Sequence, residues 1–323
     1  MNTRPLGRTG LAVSEIGFGA WGIGASEWIG ADDAESRRAL HRALDLGVSL
    51  VDTALAYGDG HSEQVVGQVV RERRERPLLA TKLPPKNMQW PALRGVPVSE
   101  VFPRDHVVAC CERSLRNLGV EAIDLLQLHV WQDEFLDQDG WQAGLDELTR
   151  AGKIRFAGMS AGEHELESAL RAPACGHFAV LQVLYNIFDP RAADALFPLC
   201  LAHGVGVLAR VPFDEGGLTG TITPQTTFPA GDFRNDYFRG DRKRQVQEHC
   251  DALRAVMAEE ARSLPELALR FCLSHDAVSS VIPGMRRIGS VETNAAVGDG
   301  RRLSPALLQT LKAHAWPRNF WED

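Results

Sequence analysis

Four residues in the first half of the chain have types that could act together on a carbonyl group. Asp52 ends a short apolar run, and Tyr57 follows in the loop Asp52-Thr53-Ala54-Leu55-Ala56-Tyr57-Gly58; Lys82 and His129 each end a later apolar run. A tyrosine with a pKa near ~10 is a poor acid at neutral pH, but an ammonium beside it stabilises the phenolate and lowers that pKa. Lys82 can do this for Tyr57, and Asp52 can keep Lys82 charged and oriented. His129 can hold a carbonyl oxygen by a hydrogen bond. Such a group of four can protonate the alkoxide that forms when hydride adds to a carbonyl.

These residues act together only if the elements carrying them converge. Short β-branched runs alternate with helical patterns along the chain, and Gly47, Gly119, Gly152 and Gly204 each stand between a helix and the next strand, where a left-handed C′ residue is needed. Asp32 or Asp33 can cap a helix with Ala39, Leu40, Ala43 and Leu44 on one face. Arg104-Asp105 opens another with Val108, Cys111, Leu115 and Leu118 inward, and Asp189-Pro190 opens a third with Leu196, Leu199 and Cys200. Strands are expected near residues 16–19, 48–52, 78–82, 123–129, 154–159, 179–184, 205–210 and 278–282. Eight strands alternating with helices predict an α/β protein of the (β/α)8 TIM-barrel type, one domain over residues 1–323, with Asp52, Lys82 and His129 at strand C-termini around one mouth. A doubly wound sheet is the competing architecture. Leu6-Gly7-Arg8-Thr9-Gly10-Leu11 reads as a tight N-terminal hairpin able to plug the barrel bottom. A long loop rich in Gly, Thr and Pro, roughly Pro212 to Asp241, follows the seventh strand.

Composition is that of an ordinary soluble protein able to bury a large core: 44% of the 323 residues are hydrophobic and 24% charged. Thirty-five Lys and Arg against forty-two Asp and Glu, with no long run of one sign, argue against a nucleic-acid partner. The alternating cluster Arg71 to Arg76 reads as a solvated helix end. Neither a signal-type apolar region nor a span near ~20 apolar residues is present, so a cytoplasmic location is expected and a membrane partner is not. The six cysteines form no C-x-x-C pair and read as reduced core thiols, with no zinc or other metal site expected.

Several strings, in order along the chain, resemble the aldo-keto reductase family: Gly17-Phe18-Gly19-Ala20-Trp21-Gly22, Asp52-Thr53-Ala54 with Tyr57-Gly58, Ser62-Glu63 with Gly67, Thr81-Lys82, Asp124 to His129, Gln182 to Asn186, and Ile282-Pro283-Gly284. Each alone is weak; together they are specific. The resemblance implies Asp52, Tyr57, Lys82 and His129 as a catalytic tetrad with Tyr57 the general acid, NADPH as cofactor, and an aldehyde or ketone as the small-molecule substrate. It implies nicotinamide contacts from Ser160, Gln182 and Asn186, and ribose or nicotinamide contacts from Ala20, Trp21 and Asp52. Phosphate contacts are implied for the Phe213 to Gly220 loop, including Gly216, Leu218 and Gly220. The adenosine end is implied to lie on Gly284 to Asn294, including Arg286, Arg287, Ser290 and Asn294, with Arg286 and Arg287 beside Ser290 suited to a 2′-phosphate.

Three positions depart from the family pattern. Ala161 stands where asparagine is common, Arg210 stands where an aromatic commonly stacks on the nicotinamide, and Thr293 occupies a position often acidic. Other readings compete for single features. Gly17 to Gly22 also matches G-x-G-x-x-G, but no helix opens from it. A lone strand-end histidine is more often structural. Lys82 alone would suit the Schiff-base chemistry of a barrel aldolase, and a barrel with all four residues could bind NADPH as a sensor without useful turnover. Trp28, Trp90 and Trp131 lie in or near mouth loops, although a single tryptophan is more often packing than a substrate contact. Oligomeric state is left open by the sequence.

Overall fold

The computed structural model describes residues 1–162 and 165–320. An antiparallel hairpin, β1 (Thr3–Pro5) and β2 (Ala12–Ser14), is followed by eight strands: β3 (Phe18–Gly19), β4 (Leu50–Asp52), β5 (Leu78–Leu83), β6 (Ile123–Leu128), β7 (Ile154–Ser160), β8 (Val180–Leu184), β9 (Gly206–Arg210) and β10 (Val278–Val281). The eight pair in chain order, each with its neighbour and all parallel. Single parallel bridges, Ile16 to Val281 and Gly19 to Gly284, close the row, with the Gly17 N–H donating to Val281 O at 2.8 Å and the Gly19 N–H to Pro283 O at 3.0 Å. The fold is the (β/α)8 barrel expected from the strand count.

The seam constrains the residue that ends the first barrel strand. A Cβ on Gly19 would lie 2.7 Å from the Ile282 carbonyl oxygen and 2.8 Å from that of Pro283, both backbone atoms without freedom to withdraw. Glycine is therefore required for β3 to meet β10. Gly19→Ala is expected to destabilise the protein by about 1–3 kcal/mol through overpacking. Thermal or urea unfolding measures this, and an unshifted midpoint would contradict it.

The barrel floor is apolar. Leu50, Ala80, Leu125, Val180, Leu208 and Ile282 form one buried cluster with Leu6 and Val13 of the hairpin, so the hairpin does plug the bottom. Gly7, at φ +51°, lies against the Gly206 backbone so closely that a Cβ would come within 2.2 Å of its nitrogen.

The helices are α1 (Asp33–Asp45), α2 (His61–Glu72), α3 (Val98–Val101), α4 (Arg104–Leu118), α5 (Trp141–Arg150), α6 (Leu196–Ala202), α7 (Arg234–Tyr237), α8 (Arg242–Val256), α9 (Leu264–Leu273), α10 (Ile288–Ala295) and α11 (Pro305–Leu311). Asp32 is the cap of α1, its carboxylate accepting from the Glu35 N–H at 2.7 Å. Gly47, Gly119, Gly152 and Gly204 all have positive φ, as their places after helices require.

Three expectations need correction. The inward face of α4 uses Val107 rather than Val108. A short 3₁₀ turn, Arg191–Ala193, precedes α6, which begins only at Leu196, because the Asp189 carboxylate turns onto the Arg191 guanidinium at 2.7–2.8 Å instead of capping a helix. Between β7 and β8 the described residues form no α-helix, only the 3₁₀ turns Leu166–Ala169 and Ala172–Ala174. Buried aromatics pack in this region. Phe178 stacks on Trp141 at 5.3 Å and meets Trp131 edge-on at 4.9 Å, which makes Trp131 a packing residue. The six cysteines are unpaired, and burial raises the Cys111 and Cys200 thiols to about 12. No helix among the described residues is long and apolar enough to cross a membrane.

Candidate active site

Side chains alternate along a strand, so the residue two places beyond each floor residue points into the barrel one layer higher. That rule converts the apolar floor into a polar ceiling: Leu50 leads to Asp52, Ala80 to Lys82, Leu125 to Gln127, Val180 to Gln182 and Leu208 to Arg210. His129 lies one step above Gln127, just beyond the end of β6. Ser160 is the last residue of β7 and pairs in register with Gln182. The C-terminal mouth of the barrel thus gathers the chain's polar strand-end residues, as the spacing predicts.

Lys82 is fully buried and its ammonium has three acceptors: Asp52 Oδ2 at 2.7 Å, Thr53 O at 2.8 Å and Tyr57 Oη at 3.1 Å. Three N–H donors meet three acceptors, so the phenol oxygen accepts from Lys82 and keeps its own proton for another partner. The second oxygen of Asp52 accepts from the amides of Gln182 at 2.7 Å and Gln127 at 3.3 Å. Motif spacing does not single out Gln127, although its inward position two residues before His129 is a usable signal. The His129 ring stands edge-on to Tyr57 at 5.7 Å and to Trp90 at 4.7 Å. Its Nδ1 is buried with no partner, leaving Nε2 as the edge toward the cleft.

Electrostatics set the protonation states. Burial pushes the Tyr57 phenol up, the Lys82 ammonium pulls it down and the Asp52 charge raises it again, for a net position above the ordinary value. The lysine opposes burial without overcoming it, which corrects the sequence expectation of a lowered pKa; the phenol is protonated at neutral pH. Burial would discharge Lys82, but the Asp52 charge and the hydrogen bonds to Asp52 and Tyr57 outweigh it, and its pKa rises. His129 is held well below its usual range by burial and by the positive charges of Lys82 and Arg210, so its imidazole is neutral.

Other expected site residues fall into two groups. Ala20 is buried with both backbone groups engaged, its N–H on Asp52 O at 2.9 Å and its carbonyl accepting from Ser62 at 2.9 Å, so it can line a cofactor pocket but has no polar group to offer. Trp21 is partly exposed beside Tyr57, ring centroids 6.3 Å apart, with its indole N–H on Glu27 at 2.9 Å. Arg210, half-buried, donates to the Ala161 carbonyl at 3.1 Å across the mouth. Asn186 is engaged by its own loop: its amide donates to Val211 O and its oxygen accepts from the Phe188 and Asp189 N–H groups, all at 2.9 Å.

In the loop after β9, Phe213 and Gly216 keep exposed surface. Leu218 is a core residue whose N–H is spent on Phe213 O at 2.9 Å, and Gly220 lies out against Arg254 of α8. Val211, Asp214 and Glu215 all have φ near +50°, a strained backbone for non-glycine residues. Beyond β10, Gly284, Arg287 and Ser290 are exposed at the start of α10, which no side chain caps; Arg286 is half-buried and Asn294 buried. Burial and the charges of Arg234 and Arg287 hold Arg286 below its ordinary pKa. Crowded cations beside free helix N–H groups suit a phosphate.

A family model described as "Aldo/keto reductase family" matches residues 15–315. The chain is 32% identical over 298 residues to "Aldo-keto reductase YhdN" of Bacillus subtilis, covering 90% of this chain and 87% of that protein. It is 29% identical over 313 residues to the "NADH-specific methylglyoxal reductase" of Escherichia coli, covering 92% and 93%. A solved aldo/keto reductase from Klebsiella pneumoniae, in complex with NADP and acetate, superposes with a TM-score of 0.70 at 26% identity, covering 98% of this chain and 97% of that one. With its barrel, the polar ceiling at its mouth and a family match spanning nearly its whole length, the chain belongs to the aldo/keto reductase family.

Proposed function

We propose that the protein reduces a small aldehyde or ketone to an alcohol with NADPH, Tyr57 serving as general acid. The observation that carries this reading is the Lys82 ammonium, saturated by Asp52, Thr53 and Tyr57 and buried in the same layer. It leaves the phenolic proton as the one directed away from the lysine. When bound, reduced nicotinamide supplies the hydride. Ser160, the last residue of β7, and Gln182, its register partner within β8, would hold its carboxamide. Trp21 and Ala20 would line one side, Phe213 and Gly216 would approach the phosphates, and Gly284, Arg286, Arg287, Ser290 and Asn294 would hold the adenosine end.

His129, neutral, donates from Nε2 to the substrate carbonyl oxygen and fixes it beside the phenol. As hydride reaches the carbonyl carbon, charge grows on that oxygen and the Tyr57 proton passes to it. Lys82 then stabilises the phenolate, while Asp52 keeps Lys82 in place. A panel of aldehydes and ketones assayed for NADPH oxidation tests the reading. Tight NADPH binding without turnover of any of them would favour a binding-only protein instead. The Escherichia coli relative is named for NADH, so preference for NADPH rests on this chain's own arginines.

Arg210 adds a bias in direction. Oxidised nicotinamide is cationic and the reduced ring neutral, so a guanidinium at the end of β9 penalises NADP⁺ relative to NADPH. The hydrogen bond to Ala161 keeps its charge at the mouth, where both Tyr57 and His129 respond to it. Solvent at a half-buried group screens the repulsion to a small fraction of its unscreened size. Arg210→Met is expected to lower the ratio of NADP⁺ to NADPH dissociation constants by about threefold or more. An unchanged ratio across salt concentrations would show that the charge is not felt at the ring.

A further inference from the structure

The pair Ser62-Glu63 belongs to the family-like strings, yet neither residue touches the cleft. Both are buried in the first turn of α2. The Ser62 hydroxyl has two neighbours, the Ala20 carbonyl at 2.9 Å and the Thr53 hydroxyl at 2.8 Å. A carbonyl only accepts, so the single Ser62 proton goes to Ala20, and Thr53 must donate to Ser62. The order Thr53 to Ser62 to Ala20 is therefore fixed. The Ser62 backbone N–H donates to the Tyr57 carbonyl at 3.2 Å. Ser62 is thus bonded to the backbone of the general acid, to the residue before Trp21, and to the residue whose carbonyl accepts from Lys82.

Glu63 makes this turn a firm anchor. Its carboxylate accepts from Thr81 at 2.6 Å and Asn117 at 2.8 Å, tying α2 to β5, one residue from Lys82, and to α4. The loops that Ser62 joins also pack backbone to backbone: a Cβ on Gly24 would lie 2.8 Å from the Tyr57 carbonyl carbon.

We infer that Ser62 is a positioning residue for the reaction, holding the Tyr57, Lys82 and Trp21 segments in one geometry through its three hydrogen bonds. This rests on the reductase reading above. It predicts a loss of rate from a side chain that contacts neither substrate nor cofactor. Small displacements of reacting groups are costly, and a loosened Thr53 or Tyr57 segment lengthens the average contact between Lys82 and the phenol. Lysine then stabilises the phenolate less, and the alkaline limb of kcat, where the phenol loses its proton, moves to higher pH.

The test compares the unmodified protein with Ser62→Ala and Ser62→Thr, the latter keeping the hydroxyl. Four quantities are measured: kcat against pH with the best aldehyde of the panel, the NADPH dissociation constant, the melting temperature, and hydrogen exchange along the chain. Ser62→Ala is expected to lose about tenfold in kcat with NADPH affinity within about threefold, and to shift the alkaline limb upward. Faster exchange should be confined to residues 18–24 and 52–58. Ser62→Thr should restore most of the rate, and if the alanine variant does not fold, partial rate and a displaced limb in the threonine variant serve instead. A rate within about twofold of the unmodified protein, or a loss that tracks unfolding with the limb unmoved, overturns the inference. If neither the unmodified protein nor any variant reduces a carbonyl, the reductase reading fails and Ser62's role in the reaction falls with it; exchange rising only in those two segments would then leave Ser62 as their structural tie alone.

Discussion

Tyr57→Phe is expected to lower carbonyl reduction by about a hundredfold or more while NADPH still binds. In the proposed mechanism the phenol gives its proton to the substrate oxygen, because Lys82 has already used all three of its hydrogens. Phenylalanine keeps the ring beside Trp21 and His129 and removes only the oxygen. Lys82→Met should lose a similar factor by a different route, since without the ammonium both burial and the Asp52 charge raise the phenolate's energy. That variant also leaves Asp52 buried without its cation, and breaking a buried pair typically costs about 3–5 kcal/mol of stability. The Gln182 and Gln127 amides, still donating to Asp52, soften this cost. Single-turnover NADPH oxidation, with cofactor affinity from fluorescence and a melting curve for each variant, separates chemistry from folding. Near-normal turnover in both would remove the tetrad assignment.

The second large effect concerns the adenosine end. The unmodified protein is expected to bind NADPH more tightly than NADH by roughly tenfold to a hundredfold, and replacing Arg286 and Arg287 together by Ala should erase most of that difference. A charge-assisted hydrogen bond contributes about 1.5–3 kcal/mol, and about 1.4 kcal/mol is a factor of ten. Arg287 is exposed and belongs at the low end of that range; Arg286, half-buried and crowded by Arg234 and Arg287, gains more from an added anion. The uncapped start of α10 adds N–H groups that survive the substitution, so residual preference should be small but not zero. Dissociation constants for both cofactors at two salt concentrations measure this. Equal constants in the unmodified protein would show that these arginines do not read a 2′-phosphate.

Much of the molecule was legible because it is local. Capping at Asp32, left-handed glycines after helices and alternating strands depend on neighbours a few residues away, so Gly47 or Gly119 announces its own conformation. Leu50 with Asp52, Ala80 with Lys82 and Leu208 with Arg210 show the same rule acting across the barrel, with an apolar floor residue two positions before each polar one. At Leu218 and Asn186 spacing is silent, for the opposite reason. Each lies in a segment of the right character, but whether a side chain faces a ligand or is consumed by its own loop depends on contacts that no spacing encodes.

Sequence alone determined the barrel, its plug and the identity of the four residues at its mouth, because side-chain alternation and helix punctuation are backbone properties that each segment carries by itself. Tertiary structure decided how those residues behave. Asp52 draws hydrogen bonds from Gln127 and Gln182, far along the chain, and only their assembly in one layer saturates it. The direction of the Tyr57 shift likewise required the folded molecule, since desolvation and the Lys82 charge act in opposite senses and their balance depends on how deeply the phenol is buried. The glycine seam at Gly19 follows from the same cause: it depends on which surfaces meet once the barrel has closed.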